Sequence, residues 1–175
     1  GAAMPDSLIL VTNDDGVHSP GIVALQQALE PLGTTIVIAP DRDNSAVSHS
    51  LTMNRPLKVV RLRENFYTLD GTPTDCVAVG LKKILPVRPD LLVSGINAGA
   101  ILGVDLSYSV TVSAAIEGTR YGIPSMAISV GGQQPYDYRA AMQIAICMAE
   151  KILCNSLPGD TLLNINVPSG SGYKT

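Results

Sequence analysis

The sequence predicts a three-layer α/β fold, in which a mainly parallel β-sheet carries helices on both faces. Two observations lead to this prediction. Apolar runs of strand length alternate along the chain with segments of helical spacing, which is typical of β-α-β units with right-handed crossovers. The first run, Leu8–Thr12, is continuous, as expected for a central parallel strand that is buried on both faces.

A helix and a second strand follow the first strand. The helix is predicted over 21–32, because its apolar residues fall on one side and Gly33 stands where a terminating glycine is expected. The second strand is predicted over 34–39. The polar loop 40–56 comes next, and its length marks it as a candidate functional loop.

The middle of the chain begins with two short strands, predicted over 57–62 and 65–69, which form a hairpin or an added strand pair. Thr72-Pro73-Thr74-Asp75 then opens a helix that runs to about residue 85. The threonine is the expected N-cap, the proline occupies the first helical position and the aspartate the third.

The second half of the chain continues the alternation, and we find no internal repeat. The remaining elements are predicted to be a strand over 90–94, a helix over 108–121, a strand over 123–130, a helix over 137–153 and a strand over 161–167. A single domain is therefore predicted over 4–167. Residues 1–3 are interpreted as a tag remnant, and 168–175 as the start of a truncated C-terminal extension.

Composition narrows the class of protein. The 175 residues are 46% hydrophobic and 15% charged, which fits one globular domain with a core. A net charge of −3 without a basic patch excludes long nucleic acids as partners. No apolar stretch reaches the roughly 18 residues that a membrane span needs. Cys76, Cys147 and Cys154 lack CxxC spacing, so we expect buried thiols and a cytoplasmic protein.

Polar segments follow three of the predicted strands. They are Asn13-Asp14-Asp15-Gly16, Asp41-Arg42-Asp43-Asn44-Ser45 and Ser94-Gly95-Ile96-Asn97. Ligands of open α/β sheets bind at the carboxyl ends of the strands, so these segments should meet. Their carboxylate, hydroxyl and amide oxygens suit Mg²⁺ or Mn²⁺ rather than zinc. The alternative for the first segment is a polar turn with an aspartate N-cap and a glycine at positive φ.

A phosphate site is expected beside this oxygen-rich edge. Gly95, Gly99 and Gly103 recur every four residues, which would bring backbone N–H groups close to an anion. Hydroxyl groups at the start of the next helix would add to it. The alternative is a tight loop followed by an ordinary N-cap. The residues assigned to substrate phosphate are Asn13, Gly99, Ser109 and Thr111, with Asp105 assigned a supporting role behind them.

Several motifs together resemble the SurE family of metal-dependent nucleotidases. They are Thr12-Asn13-Asp14-Asp15-Gly16, Ala39-Pro40-Asp41-Arg42 with Ser45, Asp70-Gly71-Thr72-Pro73, and the segment from Ser94-Gly95-Ile96-Asn97-Ala98-Gly99 through Tyr108 to Gly118. The resemblance runs in order from about Leu8 to the final strand.

The resemblance implies a Rossmann-like domain with one divalent metal ion, Mg²⁺ or Mn²⁺, per subunit. The implied ligands are Asp14, Asp15, Ser45 and Asn97, of which the two aspartates are also the candidate catalytic residues. The implied substrates are nucleoside 5′- and 3′-monophosphates and, for some members, short polyphosphate. Homodimers or homotetramers are implied as well, and the family name suggests a role in stress survival.

Two positions depart from the family pattern. Ile101 stands where the family usually has asparagine, and Val110 where it usually has glycine. Isoleucine cannot hold a phosphate or a metal-bound water, and valine adds a β-branched side chain next to the anion. These departures motivate the alternative that the chain is a weakened or inactive nucleotide- or metal-binding member of the same fold.

The hypothesis that follows is a phosphomonoesterase that hydrolyses nucleoside monophosphates by metal-activated water. A haloacid-dehalogenase-type phosphatase is a weaker alternative, because Asn13 stands where that family has its nucleophilic aspartate. A dinucleotide-binding domain is also disfavoured, because no G-x-G-x-x-G follows the first strand.

Overall fold

A computed structural model describes residues 6–44, 50–99, 106–155 and 157–168, with the backbone alone for 106–111. The strands in this part of the chain are β1 (Leu8–Thr12), β2 (Thr34–Pro40), β3 (Val59–Arg63), β4 (Phe66–Leu69), β5 (Leu91–Ala98), β6 (Ser125–Val130) and β7 (Leu162–Val167). The α-helices are α1 (Pro20–Leu29), α2 (Pro73–Val79), α3 (Leu106–Arg120) and α4 (Arg139–Asn155). None of these helices is long and apolar enough to cross a membrane.

The described strands form one sheet in the order β3-β4-β2-β1-β5-β6-β7. β3 and β4 pair antiparallel, and every other neighbouring pair is parallel. The chain proceeds from β1 to β2 on one side and later places β5 on the other side of β1. The sheet therefore has a topological switch point between β1 and β5, where ligands of this class of fold bind.

The core lies on both faces of the sheet, which confirms the predicted three-layer α/β fold. Successive residues of a strand point to opposite faces. Ile9 and Val11 of β1 pack in one cluster with the buried sides of α1 and α4, and Leu8 and Leu10 pack in the other with α2 and α3. All five residues of β1 are buried, which explains its continuous apolar run.

Several helix boundaries follow the expected local chemistry. Thr72 caps α2 in a reciprocal capping box with Asp75, and Pro73 occupies the first turn, as predicted. α2 then continues into a π-helical turn, Gly80–Ile84. After α1, a 3₁₀ turn precedes Gly33, so the regular helix ends earlier than the predicted residue 32.

The predicted end of β5 and the predicted start of α3 are wrong. β5 continues to Ala98, so Gly95, Ile96 and Asn97 lie inside the strand rather than in a loop after it. A Cβ on Gly95 would lie 2.6 Å from the carbonyl oxygen of Ile128, so this glycine allows β5 and β6 to approach. α3 begins at Leu106, two residues before the predicted start.

The prediction of three buried thiols is wrong for two of them. Cys76 is buried, whereas Cys147 and Cys154 are exposed on α4. The reason is the helix's spacing: Ala141 and Ala145 repeat at four-residue intervals on the buried side, and the two cysteines lie on a different side of the helix. Helical neighbours in sequence do not share a face.

Candidate active site

Side chains cross-link the carboxyl ends of β1 and β5. The backbone N–H of Asp14 donates to Oδ1 of Asn97 at 2.9 Å. The backbone N–H of Ala98 donates to Oδ2 of Asp15 at 2.7 Å. Three residues that sequence analysis placed in one site, Asp14, Asp15 and Asn97, therefore lie together at the switch point of the sheet.

The loop after β2 adjoins the same acids. The backbone N–H of Asn44 donates to the carbonyl oxygen of Asp14 at 2.7 Å, and that of Val17 donates to the carbonyl oxygen of Pro40 at 2.8 Å. Gly16 has a φ of +102°, and a Cβ there would lie 3.0 Å from the carbonyl carbon of Arg42. Both the dihedral angle and the close approach of the two loops therefore require glycine.

Asn13 holds the turn that carries the acids. Its Nδ2 donates to the carbonyl oxygen of Gly16 and to Oγ of Ser19, both at 2.9 Å. Its Oδ1 accepts the backbone N–H of Gly16 at 3.1 Å. The side chain is fully buried, so its visible role is to fix the turn. Contact with a phosphate would require one of these bonds to be exchanged.

The electrostatics of the two acids are unfavourable without a cation. Asp14 is only 3% exposed. Burial raises the pKa of its carboxyl well above the usual range, and repulsion from Asp15 and then from Asp43 raises this pKa further. A nearby divalent cation would favour the ionised carboxylate, because it offsets both the lost hydration and the repulsion.

Asn97 carries an unsatisfied donor. The side chain is 5% exposed, and its Nδ2 is buried without a hydrogen-bond partner among the described residues. Leaving a buried N–H unpaired costs about 1–3 kcal/mol. Its Oδ1 uses one lone pair for Asp14 and keeps a second. The amide can thus offer an oxygen to a cation and a donor to an anion.

These donors fit a hard divalent cation, which prefers oxygen ligands. In the described ranges, no three His, Cys, Asp or Glu side chains come together as a metal cluster. A cation here would therefore need amide and hydroxyl oxygens besides the two carboxylates. Ser45, the predicted hydroxyl ligand, lies outside the described residues, as do Ile101, Gly103 and Asp105.

The structure describes only part of the predicted phosphate site. The backbone N–H of Gly99 donates to the carbonyl oxygen of Val130 at 3.2 Å, and a Cβ on Gly99 would meet no atom of the described residues within 4 Å. Among those residues, there is thus open space beside this backbone. Ser109 and Thr111 lie inside α3 rather than before its first turn, so neither is the N-cap.

A cavity of about 890 Å³ lies next to the acids, at the carboxyl ends of β2 and β4. Asp43 and Asn44 line it, whereas Asp14, Asp15 and Asn97 do not. Sequence analysis marked the loop 40–56 as a candidate functional loop, but it did not predict that residues 50–55 form the opposite wall of a cavity. The signal that was available is the apolar pair Leu51 and Met53.

Tyr138 is a further neighbour that the motifs did not indicate. It lies just before α4 and is half-buried. Burial raises the pKa of its phenol, followed by the effect of the Asp15 carboxylate and then of Tyr136. The phenol is therefore close enough to Asp15 to sense its charge. No local pattern marks this residue, because the loop after β6 approaches Asp15 only through the fold.

Comparisons with known proteins show which family the chain resembles. Residues 9–175 match the family described as Survival protein SurE. The 5'-nucleotidase SurE of Pelobacter propionicus is 56% identical over 161 residues, which cover 91% of this chain and 65% of that protein. The 5'-nucleotidase SurE of Geobacter sulfurreducens is 52% identical over 161 residues, covering 91% of this chain and 62% of that protein.

A solved structure has a similar fold. The crystal structure of the SurE protein from Aquifex aeolicus superposes with a TM-score of 0.86 at 47% sequence identity, covering 93% of this chain and 66% of that chain. The present chain thus spans just under two thirds of the length of these relatives. On the match over nearly its whole length and on the identities above, the chain belongs to the SurE family.

Proposed function

We propose that this chain carries the catalytic site of a metal-dependent phosphomonoesterase, which hydrolyses nucleoside 5′-monophosphates, and 3′-monophosphates, to nucleoside and phosphate. The observation that supports it most directly is the pair of hydrogen bonds from Asp14 to Asn97 and from Ala98 to Asp15. They hold two adjacent carboxylates and an amide at the switch point of the sheet. The 5'-nucleotidase names of the relatives support the same reaction.

The residues proposed to hold one divalent cation, Mg²⁺ or Mn²⁺, are Asp14, Asp15, Asn97 and Ser45. When bound, such an ion supplies Lewis acidity to a phosphoryl oxygen and to a water molecule. Asn13 fixes the turn so that both acids point from one rigid segment. The buried Nδ2 of Asn97 is proposed to donate to a phosphoryl oxygen, which would satisfy it.

The other assignments stay predictions from the sequence. Gly99, Ser109 and Thr111 are proposed to contact the phosphate, and Asp105 to support them. Short polyphosphate as a second substrate, a homodimer or homotetramer, and a cytoplasmic location belong to the same group. No described residue supports the inactive alternative that Ile101 and Val110 suggested, and the relatives' names favour an active enzyme.

The test is phosphate release from AMP or GMP with Mn²⁺ or Mg²⁺, with EDTA as the metal-free control. Asp15→Asn should abolish release while the circular dichroism spectrum and the unfolding midpoint show that the protein is folded. Asp160→Asn is the matched control, because this exposed aspartate precedes β7 at the opposite edge of the sheet. Turnover that survives in Asp15→Asn, or in EDTA, would contradict the proposal.

A further inference from the structure

We infer that the cavity at the carboxyl ends of β2 and β4 binds the nucleoside part of the substrate, with the phosphate at Asp14 and Asn97. This inference rests on the proposed function for the identity of the whole substrate. The cavity adjoins the segment that carries the acids, because Asn44 lines it and donates its backbone N–H to the carbonyl oxygen of Asp14 at 2.7 Å. Its volume of about 890 Å³ lies within the range of small-molecule sites.

The charged side chains that line the cavity disfavour a polyanionic ligand there. Three carboxylates, those of Asp41, Asp43 and Asp70, face two guanidinium groups. Both guanidinium groups are already paired: Nε of Arg42 lies 3.0 Å from Asp41, and Nη1 of Arg55 lies 3.4 Å from Asp70. A polyphosphate chain would meet a net negative wall here, whereas an uncharged sugar and base would not.

The lining also offers the groups that a nucleoside requires. The hydroxyls of Thr52 and Thr72 lie on one side, and the apolar side chains of Leu51 and Met53 on another. Met53 is 87% exposed, although it is among the most apolar residues of the loop. A methionine thioether packs well against aromatic rings, so an exposed methionine at a cavity mouth suits a purine or pyrimidine base.

Hydrogen bonds to a buried residue hold the wall formed by residues 50–55 in place. The carboxylate of Asp75, which is 1% exposed, accepts hydrogen bonds from both the N–H and the hydroxyl of Thr52. The hydroxyl of Thr72 donates to the carbonyl oxygen of Ser50 at 3.1 Å. This part of the wall is therefore held in place before a ligand binds, which reduces the entropy cost of binding.

The first experiment detects binding without catalysis. The chain has five methionines, so ¹³C-methyl labelling gives five resonances, and Met53→Ala identifies that of Met53. Adenosine, titrated in EDTA, should shift the Met53 methyl saturably and leave that of Met126, which is 0% exposed, unchanged. Asp15→Asn should keep this shift. An unmoved Met53 resonance, or a shift with tripolyphosphate instead of adenosine, would overturn the inference.

The second experiment separates the nucleoside from the phosphate. Met53→Ala should raise KM for AMP by about 2- to 10-fold, the factor expected for one lost sulfur–aromatic contact. KM for glycerol 2-phosphate should not change, since that ester has neither a nucleoside nor an aromatic ring. Val87→Ala, at another exposed apolar residue, should alter neither value. Equal rises in both KM values, or no rise for AMP, would contradict the inference.

The two proposals fail separately. If the wild-type protein hydrolysed neither ester, the phosphomonoesterase would be excluded, and the Met53 resonance would still decide whether adenosine binds the cavity. If both esters were hydrolysed and adenosine left Met53 unmoved, the cavity assignment alone would fall.

Discussion

The carboxylate of Asp75 accepts two hydrogen bonds from Thr52, one from its backbone N–H at 2.7 Å and one from its hydroxyl at 2.6 Å. The same carboxylate accepts the N–H of Thr72 at 2.9 Å and so completes the cap of α2. One buried acid thus ties the far end of the long loop after β2 to the start of a core helix.

Removing the hydroxyl at Thr52 should destabilise the fold. We expect Thr52→Val to lower the free energy of unfolding by about 1.5–3 kcal/mol, because a hydrogen bond to a buried charged acceptor is lost. Urea titration followed by circular dichroism measures this change. Thr52→Ser keeps the hydroxyl and should lose well under half as much. Equal losses in the two variants would show that the hydroxyl bond is not the cause.

Gly16→Ala should be destabilising and should disturb the acids. Alanine would have to adopt a φ of +102° with its Cβ 3.0 Å from a carbonyl carbon of the neighbouring loop. A strained backbone of this kind costs on the order of 1–3 kcal/mol. Gln133→Ala is the control for stability, because this exposed loop residue is not at a positive φ. Similar unfolding midpoints for both variants would contradict the prediction.

The stability of the metal-free protein should depend on Asp14 and on pH. Because the pKa of Asp14 is raised in the folded state, the folded protein holds this proton more tightly than the unfolded chain does. The contribution of Asp14 to stability therefore falls as pH rises from the ordinary carboxyl range, about 3.9, through the folded-state pKa.

Asp14→Asn removes this ionisation. In EDTA, the variant should match the wild type near pH 4 and exceed its melting temperature at neutral pH, as measured by calorimetry. Mn²⁺ should raise the melting temperature of the wild type and not that of the variant. A variant that is less stable than the wild type at neutral pH in EDTA would refute this account.

Asn97→Asp should separate cation binding from the stabilisation of the reacting phosphate. The aspartate keeps an oxygen that can accept the N–H of Asp14, but it lacks the Nδ2 donor that is buried without a partner in the described structure. Losing one such donor typically lowers kcat by about 10²–10³-fold. Mn²⁺ binding, measured by calorimetry, should persist.

Asn155→Asp, at the exposed end of α4, makes the same chemical change away from the site and serves as its control. An unchanged kcat in Asn97→Asp would show that Nδ2 of Asn97 does not stabilise the reacting phosphate. Lost Mn²⁺ binding in that variant would contradict the cation role of its remaining oxygen.

The fold was predictable because its signals are local. The alternating apolar runs predicted the seven strands seen in the described residues, and Thr72, Pro73 and Asp75 predicted the start of α2. The end of β5 was mistaken because Ser94-Gly95-Ile96-Asn97 has a loop-like composition. Its glycine is explained by Ile128 on the neighbouring strand, and no local pattern shows such a contact.

The site was predictable to the extent that the strand-end rule applies. That rule brought Asp14, Asp15 and Asn97 together without knowledge of the contacts. It could not show that the side-chain amide of Asn13 donates to the carbonyl oxygen of Gly16 in the same turn. It also could not show that Asp75 accepts a hydrogen bond from Thr52, which lies 23 residues earlier in the sequence. These contacts depend on the three-dimensional path of the loop after β2.

The position of β1 has a consequence for how specificity can change. Its residues are wholly buried in the centre of the sheet, and the two acids follow directly, so substitutions near them disturb the buried centre of the sheet. The wall formed by residues 50–55 belongs to a surface loop, and its anchor on Asp75 is separate from the acids. If this wall contacts the nucleoside as inferred, substitutions in it should change the preference for one base over another and leave the two acids in place.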